Sequence, residues 1–249
     1  MTTTAKIEIR TPDGVADAHT YAPSGAGAAP GIVFYPDAGG VRPSMHAMAE
    51  RLAKLGYFVL LPNIFYRAGA FAPFDMKTVF SDAPERSRIM ALIKSLDNAS
   101  AMRDAGAWLD ALASQPGALP GKAGCVGYCL GGRLAFATAG THGDRIGAAA
   151  SIHGGSLATG EPDSPHTKAA NVKAALYFGV ADNDGSCPPE HQALLASSLG
   201  AAHVRYQIEL YSGKLHGFAV SDMPVYDEAA AEQHWARVGT LFGSSLSRA

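Results

Sequence analysis

Short apolar runs recur along this chain, each a few residues long and each followed by turn residues or an amphipathic stretch. Gly31–Tyr35 and residues 58–61 are such runs, the second closed by Pro62. Cys125 and Val126 end another, and 148–152, 174–178 and 204–210 follow. Apolar runs without polar alternation are the pattern of strands buried on both faces. Helical patterns lie between them. Met45, Met48, Leu52 and Leu55 fall at helical spacing over 45–55, with Gly56 as the stop. Further helices are expected over 85–97, 99–114, 130–140, 189–199 and 225–246. Near the start, 7–10 and 18–21 predict a hairpin around Pro12-Asp13-Gly14. Residues 63–84 are less regular and rich in aromatics, and the Ala- and Gly-rich stretch 24–30 predicts a surface loop.

Strands alternating with helices predict an α/β fold: a mostly parallel twisted sheet with helices on both faces. No repeat or long linker divides the chain, so a single domain is expected over 1–249. In such sheets ligands bind beyond the carboxyl ends of the strands. The polar residues standing just after strands are therefore the ones to weigh.

Composition narrows the function classes. The chain has 249 residues, 47% hydrophobic and 17% charged, with a formal net charge of −2. Without a basic stripe, nucleic-acid binding is not expected. No apolar run approaches the roughly 20 residues of a membrane span, and MTTTAKIEIR has no apolar signal region. A soluble, cytoplasmic protein is expected, a monomer or small homo-oligomer acting on a small molecule. The three cysteines, Cys125, Cys129 and Cys187, do not suggest a disulfide framework.

Cys129 stands out among them. It follows a strand and precedes a helix, within Gly127-Tyr128-Cys129-Leu130-Gly131-Gly132. A nucleophile on a strand–helix elbow needs such glycines, because the turn is too tight for neighbouring side chains. The free N–H groups at the start of the helix favour negative charge there. The N–H of Leu130 points where an oxyanion would form. A buried cysteine on a glycine-rich turn would show the same motif. Cys125, inside a strand, reads as packing, and Cys187, beside Pro188-Pro189, has no evident partner.

A thiol nucleophile needs a histidine, and the histidine needs an acid to orient it. Asp182 follows the run 174–178 after Gly179-Val180-Ala181, and its offset from that strand favours it over Asp184, with Asn183 between them. His216 lies on a loop after the strand 204–210 and precedes Gly217-Phe218. Of the other histidines, His153 also ends a strand but precedes the acid, which suits a pocket-lining role. The order Cys129, Asp182, His216 is that of nucleophile, acid and base in strand-edge hydrolases.

With these residues the chain resembles the dienelactone hydrolase family of α/β-hydrolases (carboxymethylenebutenolidase-like). The elbow continues as Arg133-Leu134-Ala135-Phe136; Gly179–Asp182 with Pro188 is similar to the family's acid loop, and His216-Gly217-Phe218 to its histidine loop. The resemblance spans nearly the whole chain. It implies hydrolysis of an ester or lactone through Cys129, Asp182 and His216, without metal or cofactor, with Leu130 and Ala38 N–H groups as oxyanion donors. It further implies an acidic residue that touches the resting thiol. Here that position is Asp37, where the family usually has Glu. Arginines bind the substrate carboxylate in the family; Arg86 is the candidate for one, with Arg88 beside it. The arginine expected after the histidine is absent, the chain running into Val220, and so is a pair of aromatics after Arg86, where Met90 and Ile93 stand. Substrate identity is therefore left open.

Other classes make separate demands. A thiol redox sensor needs a resolving cysteine, and no C-x-x-C is present. A nucleotide-binding domain needs G-x-G-x-x-G near the first strand, which Gly39-Gly40 does not supply. A hydrolase-fold binding protein that has lost catalysis would keep the fold without a reactive Cys129.

Overall fold

The computed structural model describes residues 2–25 and 27–246. Ala26, inside the loop expected over 24–30, lies outside the described residues, as do Met1 and residues 247–249. The chain runs β1 (Thr2–Thr11), β2 (Gly14–Pro23), β3 (Gly31–Tyr35), α1 (Pro43–Lys54), β4 (Phe58–Pro62), α2 (Ala83–Ser95), α3 (Asn98–Ala113), β5 (Ala123–Tyr128), α4 (Leu130–Thr141), β6 (Ile146–Ile152), β7 (Ala175–Asn183), α5 (Pro189–Ala201), β8 (Tyr206–Leu215) and α6 (Glu228–Ser245). Among the described residues these form an eight-stranded sheet in the order β1-β2-β4-β3-β5-β6-β7-β8. The hairpin β1–β2 and the pair β2–β4 are antiparallel, and the other pairs are parallel. This is the α/β-hydrolase fold, with its mostly parallel sheet covered on both faces.

Two apolar layers explain the unbroken runs. Val33, Tyr35, Cys125, Ala149, Leu176 and Phe178 face one layer, packed with Leu109, Leu112, Leu134 and Phe136 from α3 and α4. Ile32, Phe34, Val126, Ala150 and Tyr177 alternate with them and face the other, with Met45, Leu52, Trp235 and Phe242 from α1 and α6. Alternate residues of one strand thus enter different cores, as the two-residue strand period requires. Cys125 lies in this packing and is fully buried, as its place in a strand implies.

Helix starts follow local chemistry. The Asp82, Asp97 and Asp227 carboxylates accept the N–H groups of Glu85, Ser100 and Ala230, capping α2, α3 and α6. Helix α1 instead starts at Pro43, whose missing N–H costs nothing at a helix start.

The departure from sequence expectation that bears on the site lies at the β7–β8 edge. Strand β7 runs to Asn183 and β8 to Leu215, each five residues past its apolar run. The extension is held by Val180 opposite Leu210, Ala181 opposite Tyr211 and, after a register shift, Asn183 opposite Leu215. Polar and glycine residues make up much of it, so backbone pairing rather than hydrophobic pattern sets its length.

Candidate active site

Five strand ends converge at the carboxyl edge of the sheet. Beyond β3 come Pro36-Asp37-Ala38, beyond β5 Cys129, beyond β6 His153, beyond β7 Asp184, and beyond β8 His216.

Cys129 sits at the junction of β5 and α4 with φ 55° and ψ −118°, a left-handed conformation costly for a non-glycine residue. Its own N–H donates to the Ile152 carbonyl at 3.1 Å, and its carbonyl accepts from Gly132 N–H at 3.0 Å. A Cβ on Gly127 would overlap the Gly131 backbone, and one on Gly131 would overlap the carbonyls of Tyr35 and Pro36. Glycine at both positions lets the turn close and α4 press against the end of β3. Cys129 is partly exposed, while Cys125 and Cys187 are buried and free.

Ala38 and Leu130 occupy matched positions. Tyr35 pairs with Gly127 across β3 and β5, and each of the two residues lies three places further on. Among the described residues, neither backbone N–H has a hydrogen-bond acceptor. Leu130 N–H is free because it opens the helix.

His216 faces a carboxylate at the sheet edge that also carries Cys129. Its Nδ1–H donates to Asp184 Oδ2 at 2.7 Å, and the charge of Cys129 acts on its ring. With Nδ1 on Asp184, Nε2 is the nitrogen left for sulfur. Asp184 Oδ1 accepts the N–H of Ser186 at 2.8 Å and its hydroxyl at 2.6 Å, so both carboxylate oxygens are engaged. Burial opposes charge on Asp184, yet the His216 and Ser186 hydrogen bonds hold its carboxyl below the usual value. Burial likewise opposes charge on His216. Negative charge at Cys129, with the Asp184 hydrogen bond, outweighs it and holds the imidazole well above its ordinary value.

The carboxylate against His216 is therefore Asp184, which corrects the assignment of Asp182. Asp182 lies within β7, exposed, and its Oδ2 accepts the Gly213 N–H of β8 at 3.0 Å. Strand β7 continues five residues past Phe178, so the first position after the strand is 184 and not 182. A signal was present in Asp184-Gly185-Ser186, where an Asp side chain bonds the N–H two residues on and turns the chain.

Asp37 is also corrected. It is 4% exposed, and its carboxylate is gripped by Arg42, Nη2 to Oδ2 at 2.9 Å, and by Gly39 N–H at 2.9 Å; Cys129 is not among its hydrogen-bond partners. The short Asp side chain folds back onto its own loop. Arg42 also donates from Nε to Asp222 Oδ2 at 2.7 Å, and Asp222 accepts the Ser44 hydroxyl at 2.9 Å. One guanidinium thus ties the loop of Ala38 to the segment after His216. Neither Arg42 nor Asp222 was singled out from the sequence, since their 180-residue separation leaves no local pattern.

His153 is 1% exposed, with φ 38° and both ring nitrogens without partners. Its ring packs edge-on against His216 at 5.1 Å and Phe218 at 5.4 Å. Burial, then the neighbouring His216 and His234, hold it well below its ordinary value, so it stays neutral. Phe218, fully buried and stacked on Tyr211 at 4.6 Å, anchors the histidine loop. Val220 is fully buried in the layer beside α6. Arg86 is exposed on α2, whereas Arg88 is tied to Glu85 and lies 4.0 Å over the Phe74 ring.

Among the described residues, no group of three or more His, Cys, Asp or Glu could hold a metal ion, and no helix is long and apolar enough to cross a membrane.

The family profile of the dienelactone hydrolase family matches residues 16–246. A candidate carboxymethylenebutenolidase of Synechocystis sp. is 26% identical over 227 residues, covering 90% of this chain and 89% of the relative. The carboxymethylenebutenolidase of Rhodococcus opacus is 26% identical over 253 residues, covering 98% and 94%. The crystal structure of a candidate dienelactone hydrolase from Klebsiella pneumoniae subsp. pneumoniae MGH 78578 superposes with a TM-score of 0.84 at 21% identity, covering 98% of this chain and 99% of that one. At that identity the superposition speaks for the fold.

Proposed function

Because the chain belongs to the dienelactone hydrolase family of hydrolases, we propose that it cleaves an ester or lactone through Cys129, His216 and Asp184. The observation that carries this reading is that Cys129, His216 and Asp184 stand at the ends of β5, β8 and β7 in one sheet, with His216 Nδ1 2.7 Å from Asp184 Oδ2 and the Cys129 charge acting on its imidazole.

The Cys129 thiolate adds to the substrate carbonyl, and the N–H groups of Leu130 and Ala38 receive the oxyanion. As the tetrahedral intermediate collapses, the His216 imidazolium gives its proton to the leaving oxygen. This leaves an acyl-thioester on Cys129 and a neutral ring. His216 then takes a proton from water, whose oxygen attacks the thioester, and the thiolate departs with the imidazolium restored. Asp184 keeps the ring in one tautomer and offsets its charge. Asp37 takes no part in the proton transfers and holds the Ala38 loop through Arg42. His153, neutral throughout, packs beside the ring.

Turnover of 4-nitrophenyl esters and lactones by wild type and Cys129→Ala tests the reading. Loss of essentially all turnover in Cys129→Ala is expected. Retained activity would overturn the cysteine as nucleophile and favour a binding role for the site.

A further inference from the structure

Ser186 takes no part in the proton transfers, yet it reaches two of the three proposed reacting residues at once. Its Oγ stands 2.6 Å from Asp184 Oδ1 and 3.1 Å from His216 Nδ1. A hydroxyl has one proton to give and two lone pairs to receive with. The Asp184 carboxyl is held below its usual value, so it is ionised and can only accept. Its bond with His216 at 2.7 Å therefore places the ring proton on Nδ1. Nδ1–H can then only donate to Ser186, and the Ser186 proton goes to Asp184 Oδ1. The imidazole N–H is thus shared between a carboxylate oxygen and a hydroxyl oxygen, and that hydroxyl is polarised by its bond to the same carboxylate.

The hydroxyl is held in place from two directions. Within its own turn, Ser186 N–H donates to Asp184 Oδ1 at 2.8 Å, and Cys187 N–H donates to the Asp184 carbonyl at 3.1 Å. From the loop after β6, Ser156 N–H donates to the Ser186 carbonyl at 2.8 Å. Gly155 lies against the side chain itself: a Cβ there would stand 2.8 Å from Ser186 Oγ. The ends of β6, β7 and β8 therefore meet at one half-buried serine.

The other groups around His216 do not duplicate this contact. His153, after β6, packs edge-on at 5.1 Å, and among the described residues its ring nitrogens have no partner. Cys129, between β5 and α4, acts on the ring through its charge. Cys187 is buried and faces the Asp184 charge. Lys214, on β8 itself, is taken up by Asp227.

We propose that Ser186 is a positioning residue: its hydroxyl is the second acceptor for His216 Nδ1–H and keeps the ring in the tautomer and orientation that leave Nε2 to Cys129. The inference rests on Cys129, His216 and Asp184 as the reacting residues. The imidazolium divides its Nδ1–H between Asp184 and Ser186. Without the hydroxyl, that cation loses one acceptor and gives up its proton at lower pH.

The test follows hydrolysis of 4-nitrophenyl acetate against pH in wild type, Ser186→Ala, Ser186→Thr and Asp184→Asn. In Ser186→Ala, kcat/KM should fall about 3- to 10-fold, the range for one hydrogen bond. Its alkaline limb should move to lower pH by about half to one unit, and the His216 ring should titrate lower by the same amount in NMR. Ser186→Thr, which keeps the hydroxyl, should return both most of the way. Limb and ring unmoved in Ser186→Ala overturn the proposal even where turnover falls, because a purely structural loss lowers turnover and melting temperature without moving a titration. An equal shift in Ser186→Thr with wild-type melting also overturns it. The Ser186→Ala titration decides alone where crowding by Gly155 unfolds the threonine variant. Asp184→Asn separates the two readings. Full turnover there overturns Asp184 as the acid and the role of Ser186 with it. Turnover lost there, with the Ser186→Ala titration unmoved, overturns Ser186 alone.

Discussion

Arg42 and Asp222 stand 180 residues apart in the chain and meet through two hydrogen bonds, Nε to Oδ2 at 2.7 Å and Nη2 to Oδ1 at 3.0 Å. Arg42 is 8% exposed and also grips Asp37 with both terminal nitrogens. Two carboxylates on one buried guanidinium lock the loop of Ala38 to the segment that follows His216. The proposed oxyanion donor and the proposed base thus depend on one side chain outside both.

Replacing Arg42 by Gln leaves Asp37 buried without its cation. Breaking a buried pair in this way costs about 3–5 kcal/mol. A domain of this size loses roughly 2–4 °C of melting temperature per kcal/mol. A calorimetric scan should therefore show a drop of about 6–20 °C, with lower turnover below the new transition. Unchanged melting would mean that the two loops are held elsewhere.

The two aspartates of the β7 edge separate cleanly. Asp184→Asn removes the charge that orients His216 and should lower kcat for an activated ester by about 10³- to 10⁴-fold, as loss of a triad acid does. Asp182→Asn removes one acceptor for an exposed Gly213 N–H and should change kcat less than threefold. The opposite ranking would return the acid to Asp182.

Thiol accessibility distinguishes the three cysteines. Cys129 is partly exposed, whereas Cys125 and Cys187 are 0% and 1% exposed. Burial pushes the Cys125 thiol far up and, with the nearby Asp184 charge, the Cys187 thiol to about 12. Iodoacetamide near neutral pH should add one label to the native protein and none to Cys129→Ala, as read by intact mass. Two labels on the native protein would contradict the packing around Cys125 and Cys187.

The His216–Asp184 pair predicts opposite pH limits. Burial opposes charge on Asp184 and Asp222, but their bonds to His216 and Arg42 leave both below the reference 3.8. Their contribution to stability is present above that value and is lost as pH falls through the depressed folded values. His216 is raised well above 6.5, so its contribution is full below 6.5 and is lost as pH rises through the folded value. An NMR titration should place the His216 ring above 6.5 in wild type and lower in Cys129→Ala, which removes the charge beside it. A wild-type ring titrating at or below 6.5 would contradict the pairing.

Much of this molecule is legible in one dimension. The apolar runs of β3, β4 and β6 are buried on both faces, and the turn glycines beside Cys129 stand where any Cβ would strike backbone. These features depend on neighbours a few residues away, or on a core that accepts any apolar side chain, so composition and period suffice. His216 was reachable in the same way, because it follows a strand and precedes a glycine with φ 98°.

What tertiary structure alone decided depends on distant partners. The length of β7 is set by its pairing with β8, so which aspartate first follows the strand is decided by the assembled sheet. Asp37 turns from the cysteine because Arg42 binds it, and Arg42 is placed in turn by Asp222. Hydrophobic period is a property of the local chain, while the partner of a charge is a property of the packed whole.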